Sequence, residues 1–389
     1  MGTNIKRRRA KSTGWKKVGA IGVGLIAGVL LLVAIETVAS FRMRGVGHKA
    51  CPFFVNLQGF GQKLESYQQN WGDELIVSYL DPLLGFAHNP DKHPVLQEIP
   101  GFVEYRTSST EEEITVVALG GSTTDALTGL YLNQPEVDTE NPDNWVKSLA
   151  DLMGSSGING RVLNGGVAGY SSNQELIKMI RDVLPKRPDV VICLEGVNDA
   201  GFFHSCREHP MVHHYQKKVF DKISEGPSYF LLPNTLSMLN RGLQGKRRTI
   251  EGVHYGAKVE MRPALQWERN IRLMHACAEE YGVAYLVFLQ PLLGYGTYDM
   301  NDQERQWLEK KGEGYLEKIQ SFYQEASRIS RKYPYCIDLT DAFANSREVY
   351  LDARHQNAHG IDVLAGAVFD HLVAQGLFEP RREVTLRQE

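Results

Sequence analysis

Residues Val116 to Leu127 read VVALGGSTTDAL. The run Val116 to Leu119 is apolar and rich in β-branched side chains, the composition of a buried strand. It stops at Gly120-Gly121 and delivers a hydroxyl side chain, Ser122, followed by Thr123 and Thr124. Two readings are open on this segment alone. Either Ser122 is a nucleophile held at a strand tip, or Gly-Gly-Ser-Thr-Thr is a polar turn between a strand and a helix, because Gly and Ser are ordinary turn residues.

The neighbouring sequence supplies the context. From Ile114 onward short apolar runs alternate with amphipathic stretches, which is the pattern of an α/β fold with a parallel sheet. The predicted strands are 114–119, 161–164, 189–195, 283–290 and 336–339. Helical spacing of apolar residues predicts helices over 144–153, 174–184, 263–281, 302–331 and 361–374. In an open parallel sheet, ligands bind beyond the carboxyl ends of the strands. The residues at those ends are Gly120, Gly121 and Ser122, then NGGVAGYSS with Asn164, Gly165, Gly166 and Gly169, then EGVNDAG with Asn198 and Asp199. After the last strand comes YLDARHQNAHG with Asp352, His355, Asn357 and Gly360. Each piece alone is common; their joint appearance in this order is not.

Together these blocks resemble the SGNH (GDSL-type) hydrolase family over about residues 111–376. The resemblance implies a three-layer α/β/α sandwich around a central, mainly parallel five-stranded sheet of the flavodoxin-like kind. It implies that Ser122 is the nucleophile and that Asp352 and His355 are its acid and base. It places the oxyanion hole at the Ser122 and Gly169 backbone N–H groups and the Asn198 side chain. The first block departs from the family name, reading Gly-Gly-Ser-Thr for Gly-Asp-Ser-Leu, and so loses a polar side chain beside Ser122. Asp125 in related space is one alternative for that lost group. The stretch DPLLGFAHNP, Asp81 to Pro90, looks like the strap of membrane-anchored members.

The chemistry supports the same assignment. A serine hydroxyl attacks poorly until an imidazole accepts its proton, and a carboxylate must fix that imidazole's tautomer. Attack on an ester creates a negative oxygen, and each preorganised donor that meets it is worth roughly 2.7–4 kcal/mol. Rivals remain at three positions: Gly165 and Gly166 against Gly169, and His359 against His355, although the residue three before His359 is Gln356 and not an acid.

Composition bounds the rest. The 389 residues are 42% hydrophobic and 23% charged with a net charge of −3, which is globular material and not a general nucleic-acid binder. The N-terminus is locally different. Lys6, Arg7, Arg8, Arg9, Lys11, Lys16 and Lys17 precede the uncharged run Val18 to Ile35. Extended to about Phe41, that run reaches the roughly 20 residues needed to cross a bilayer. A retained transmembrane signal anchor is expected at 18–41, with a cleaved signal peptide or twin-arginine export signal as alternatives. The basic flank places residues 1–17 in the cytoplasm and the remainder outside, in the periplasm or at the cell surface. The expected organisation continues with an extracytoplasmic strap at 42–110, a hydrolase domain at 111–378 and a tail at 379–389. An insertion at about 205–260 carries Lys246, Arg247 and Arg248.

No cofactor and no metal site are expected. Cys51, Cys193, Cys206, Cys277 and Cys336 form no metal-ligand spacing, and one disulfide among Cys206, Cys277 and Cys336 is an open option. His204, His209, His213 and His214 fit no standard zinc pattern. The expected activity is hydrolysis of O-acyl, chiefly O-acetyl, esters through an acyl-enzyme. The expected substrate is an acylated polysaccharide or cell-wall glycan, with a lipid ester next. An O-acyltransferase using the same residues and a non-catalytic glycan-binding scaffold are the rival readings, and the question of protein partners stays open.

Overall fold

In the computed structural model the described residues are 13–45, 78–81, 83–88, 90, 94–107, 113–127, 144–200, 205–206, 209–213, 234–236, 238–239 and 262–378. Contacts divide the chain into two units: Met1–Asp73 with Phe220–Val253, and Glu74–Val219 with His254–Glu389. The second unit carries every predicted site residue.

Its strands are β1 (Ser78–Asp81), β2 (Gly85–His88), β3 (Val103–Arg106), β4 (Ile114–Gly120), β5 (Gly160–Asn164), β6 (Val190–Glu195), β7 (Ser205–Cys206), β8 (His209–His213), β9 (Ala284–Leu289) and β10 (Cys336–Asp338). β1–β2 and β7–β8 are antiparallel pairs, while the central sheet runs β10-β9-β6-β4-β5-β3. The pairings from β10 to β5 are parallel, and β3 joins β5 antiparallel. All of β6 is buried, and a strand without an exposed side must be covered on both faces.

The covering helices are α2 (Trp145–Ser155), α3 (Ser172–Lys178), α4 (Pro263–Glu280), α5 (Asp302–Glu309), α6 (Tyr315–Ser330) and α7 (Ala358–Ala374). α2 packs on α7, while α3 packs on α4 and α4 on α6. The five predicted strands are all present, but the sheet has six strands and not five. The sixth, β3, lies in the segment read as strap. Only Val103 and Tyr105 are buried in it, and Arg106 pairs with Glu104 and Glu113. A short charged strand is the usual form of a sheet edge, and it carries almost no apolar signal.

Two helices also differ from expectation. The predicted helix 302–331 is split into α5 and α6, because Gly312 (φ 88°) and Gly314 (φ 75°) sit between them in the left-handed region. The predicted helix 174–184 is α3 followed by a π-helical turn at Met179–Val183 and a 3₁₀ turn at Leu184–Lys186 that holds Pro185.

In the first unit, α1 (Thr13–Gly45) is a helix of 33 residues. Among the described residues no helix is long and apolar enough to cross a membrane, so the crossing expected at 18–41 is not shown. The side chains of 18–23 lie outside the described residues, and a charge interrupts the rest. That charge, Glu36, is buried and accepts hydrogen bonds from Asn234 N and Nδ2 and from Thr235 N and Oγ1. Cys193, Cys277 and Cys336 are free thiols, which rules out a disulfide between Cys277 and Cys336. Cys51, the Cys206 side chain, the run Lys246 to Arg248, most of the expected insertion, and the tail lie outside the described residues.

Candidate active site

The chain leaves β4 for β5 on one side and later for β6 on the other, so the carboxyl end of β4 is the topological switch point where a crevice opens. Ser122 stands there. The turn that carries it is tight: the Thr124 and Asp125 N–H groups both donate to Gly121 O at 3.0 Å. Both glycines are required by close packing. A Cβ on residue 120 would lie 2.1 Å from Thr124 Oγ1, and one on residue 121 would lie 2.3 Å from Asn198 Nδ2.

The loop before α7 brings up the imidazole. His355 Nε2 lies 2.8 Å from Ser122 Oγ, and His355 Nδ1 lies 2.8 Å from Asp352 Oδ2. The other Asp352 oxygen accepts from Arg354 N at 2.7 Å and His355 N at 3.0 Å, which fixes the carboxylate on its own turn. Burial alone raises the Asp352 pKa, but the His355 contact and these backbone N–H groups outweigh it and hold the carboxyl at about 2. Asn357 caps α7 by accepting from Gly360 N at 3.0 Å, so the Asn-x-x-Gly spacing after His355 is a helix start. His359, the rival histidine, is exposed on the first turn of α7.

Gly169 and Asn198, the expected oxyanion donors, lie beyond the ends of β5 and β6. Gly169 has φ +84°, a conformation that favours glycine. Gly165 and Gly166 serve packing instead: a Cβ at 165 would lie 2.7 Å from Phe102 Cε1, and one at 166 would lie 2.7 Å from Asp125 N. Asn164 ties this block to the Ser122 turn, donating to Thr124 O at 2.7 Å while its own oxygen accepts from Gly166 N at 2.9 Å. Asn198 is buried and donates to Tyr170 O at 2.6 Å, which leaves its second amide hydrogen free to meet a developing oxyanion.

Behind Asn198 lies a buried acid cluster that sequence reasoning missed. Asp199 accepts from Ser172 N at 3.1 Å, and burial pushes its carboxyl up to about 6. Burial, followed by the neighbouring carboxylates, pushes Glu175 and Glu195 well above the ordinary range. Glu175, Cys193 and Glu195 bring their ligand atoms within 4.8 Å of one another. These groups bind a metal when deprotonated, and burial opposes that deprotonation in all three. The side chains of His204, His209, His213 and His214 lie outside the described residues.

Asp125 does not stand in for the polar side chain that Gly121 lacks. Its carboxylate turns away, accepting from Leu127 N and Ala168 N at 2.8 Å each and meeting His88 Nε2 at 3.0 Å. His88 and Asp125 lie far apart in sequence, and the only trace of their pairing is a histidine inside the strap motif.

The model of the GDSL-like lipase/acylhydrolase family matches residues 116–365, a span that holds Ser122, Gly169, Asn198, Asp352 and His355. No curated protein matches the chain. Similar solved structures include the acetylxylan esterase Axe2 of Geobacillus stearothermophilus, at 14% identity and a TM-score of 0.39, covering 69% of this chain and 95% of that one. LAE5, an α/β hydrolase enzyme from the metagenome of Lake Arreo, matches at 13% identity and a TM-score of 0.38, covering 70% of this chain and 99% of that one.

Proposed function

The chain belongs to the GDSL-like lipase/acylhydrolase family and is a carboxylic ester hydrolase, and from that premise we propose that it is a serine esterase working through an acyl-enzyme, with Ser122 as nucleophile. The observation that carries the reading is the pair of 2.8 Å contacts linking Ser122 Oγ to His355 and His355 to Asp352. His355 Nε2 takes the hydroxyl proton as Oγ attacks the ester carbonyl, and Asp352 steadies the imidazolium that forms. The carbonyl oxygen gains a negative charge that the Asn198 amide and the Ser122 and Gly169 N–H groups meet. Collapse breaks the C–O bond to the alcohol, which leaves with the proton from His355. Water, deprotonated by the same imidazole, then releases the acid and restores Ser122.

The finer assignments rest on the sequence and on the exposure of the site. An O-acetyl ester on a polysaccharide or cell-wall glycan is the proposed substrate. The Asp352 side chain is 39% exposed and that of His355 19%, so an ester borne on a bulky polymer can reach Ser122. Anchoring by α1, with the hydrolase domain outside the cytoplasm, is supported by the uncharged run Val18 to Ile35 behind a basic flank. The test is acetate release from acetylated glycans by the full chain in detergent. Free acetate supports hydrolysis, whereas acetyl groups found only on a second glycan would replace it with transfer.

A further inference from the structure

The hairpin β1–β2 lies directly on the loop that bears Gly169: three contacts join them, and two more tie the hairpin to Arg181 and to Asp125. Leu84, in the hairpin turn, is fully buried with Val167 and Tyr170 in a small apolar cluster of its own, apart from the main core. Phe86 meets the Tyr170 ring edge-on at 5.4 Å, and the Tyr170 hydroxyl donates to Phe86 O. Asp81 accepts from the Leu83 and Leu84 N–H groups, which closes the hairpin turn, and pairs with Arg181 at 2.8 Å. At the other end of the hairpin, buried His88 meets Asp125, the carboxylate that holds Ala168 N.

These contacts converge on the oxyanion donors. Ala168 N–H is fixed by Asp125, and the next residue is Gly169. The Tyr170 carbonyl orients the Asn198 amide, and the Tyr170 hydroxyl is held by the hairpin. Both proposed donors that lie outside the Ser122 turn are therefore steadied through residues the hairpin touches. Among the described residues, no hydrogen bond or ring contact runs from the hairpin to Ser122 or His355 themselves.

We propose that the β1–β2 hairpin is a clamp that sets the oxyanion loop, with His88 and Asp125 as its positioning residues. His88 and Leu127 N–H together hold one oxygen of the Asp125 carboxylate and so present the other to Ala168 N–H; without His88 that oxygen keeps a single donor, and the Ala168–Tyr170 segment loosens. This inference rests on the esterase reading for its effect on rate, but its effect on the loop does not depend on that reading.

The experiment compares the full chain with His88→Ala, His88→Gln and Tyr170→Phe, all in detergent. Two quantities are read: hydrogen exchange at residues 166–170, and kcat and KM on an aryl acetate. A clamp predicts faster exchange at Ala168 and Gly169 in His88→Ala. It also predicts a kcat lower by roughly 10–100-fold at little change in KM, because a donor displaced by about 1 Å costs up to about 10²-fold. His88→Gln keeps a donor toward Asp125 and recovers most of both. Tyr170→Phe removes only the hydroxyl contact and loosens the same loop if His88→Ala fails to fold. Unchanged exchange in the folded variants overturns the clamp whatever the rates show, and so does loosening with unchanged kcat on an active wild type. A wild type inert to aryl acetates overturns the esterase reading, and the clamp's effect on rate with it.

Discussion

Gly121 and Asn198 share one space: the position a Cβ would take on residue 121 is 2.3 Å from Asn198 Nδ2. The space next to Ser122 that a side chain on residue 121 would take is thus filled by the Asn198 amide, which reaches across to Tyr170 O. The Gly-Gly-Ser-Thr form of the first block and the position of Asn198 belong to one solution of the packing.

Gly121→Ala therefore acts as an oxyanion variant. It pushes the Asn198 amide away and lowers kcat by roughly 10²–10³, the cost of one donor. Asn198→Ala gives a similar loss. Because both act through the same amide, the double variant loses about as much as either single one, which steady-state kinetics on the three proteins measures.

The glycines after β5 separate into two kinds. Gly169→Ala strains a left-handed residue and lowers kcat with a modest fall in stability, roughly 1–3 kcal/mol by the usual cost of such strain. Gly165→Ala and Gly166→Ala drive a methyl into Phe102 or the Asp125 backbone and show mainly as lower melting temperatures.

Asp352 makes stability depend on acid pH in a defined direction. Its folded-state pKa, about 2, lies below the ordinary 3.8. Its contribution is therefore complete above the unfolded value and disappears as pH falls through about 2. Urea midpoints of wild type and Asp352→Asn differ at about pH 5 and converge in strong acid.

Glu175 acts in the opposite direction. Its folded-state pKa is raised above 4.5, so the unfolded chain ionises first and stability falls as pH rises beyond about 4.5 toward the folded value. Glu175→Gln mimics the protonated acid and removes this loss. Its unfolding midpoint exceeds that of wild type at pH 8 and matches it near pH 4.

Much of this was readable from the sequence, because strand ends and triad spacing are local. The runs at 114–119 and 189–195 are continuous apolar strands, and Asp352 and His355 sit on one turn, so short-range pattern suffices for them. What escaped depends on long-range contact or on weak pattern. β3 alternates Val-Glu-Tyr-Arg at a charged edge and offers only two buried side chains. The break at Gly312 and Gly314 interrupts a helical period that continues on both sides of it. The His88–Asp125 pair joins residues 37 positions apart, and no spacing rule anticipates a hydrogen bond at that separation.

The most direct measurement is the site of covalent labelling by a fluorophosphonate, mapped by mass spectrometry on the full chain. The adduct belongs on Ser122, through its contact with His355 Nε2 at 2.8 Å, and Ser122→Ala should lose both the adduct and aryl acetate turnover. Labelling at another residue, or turnover that survives Ser122→Ala, would contradict Ser122 as the nucleophile.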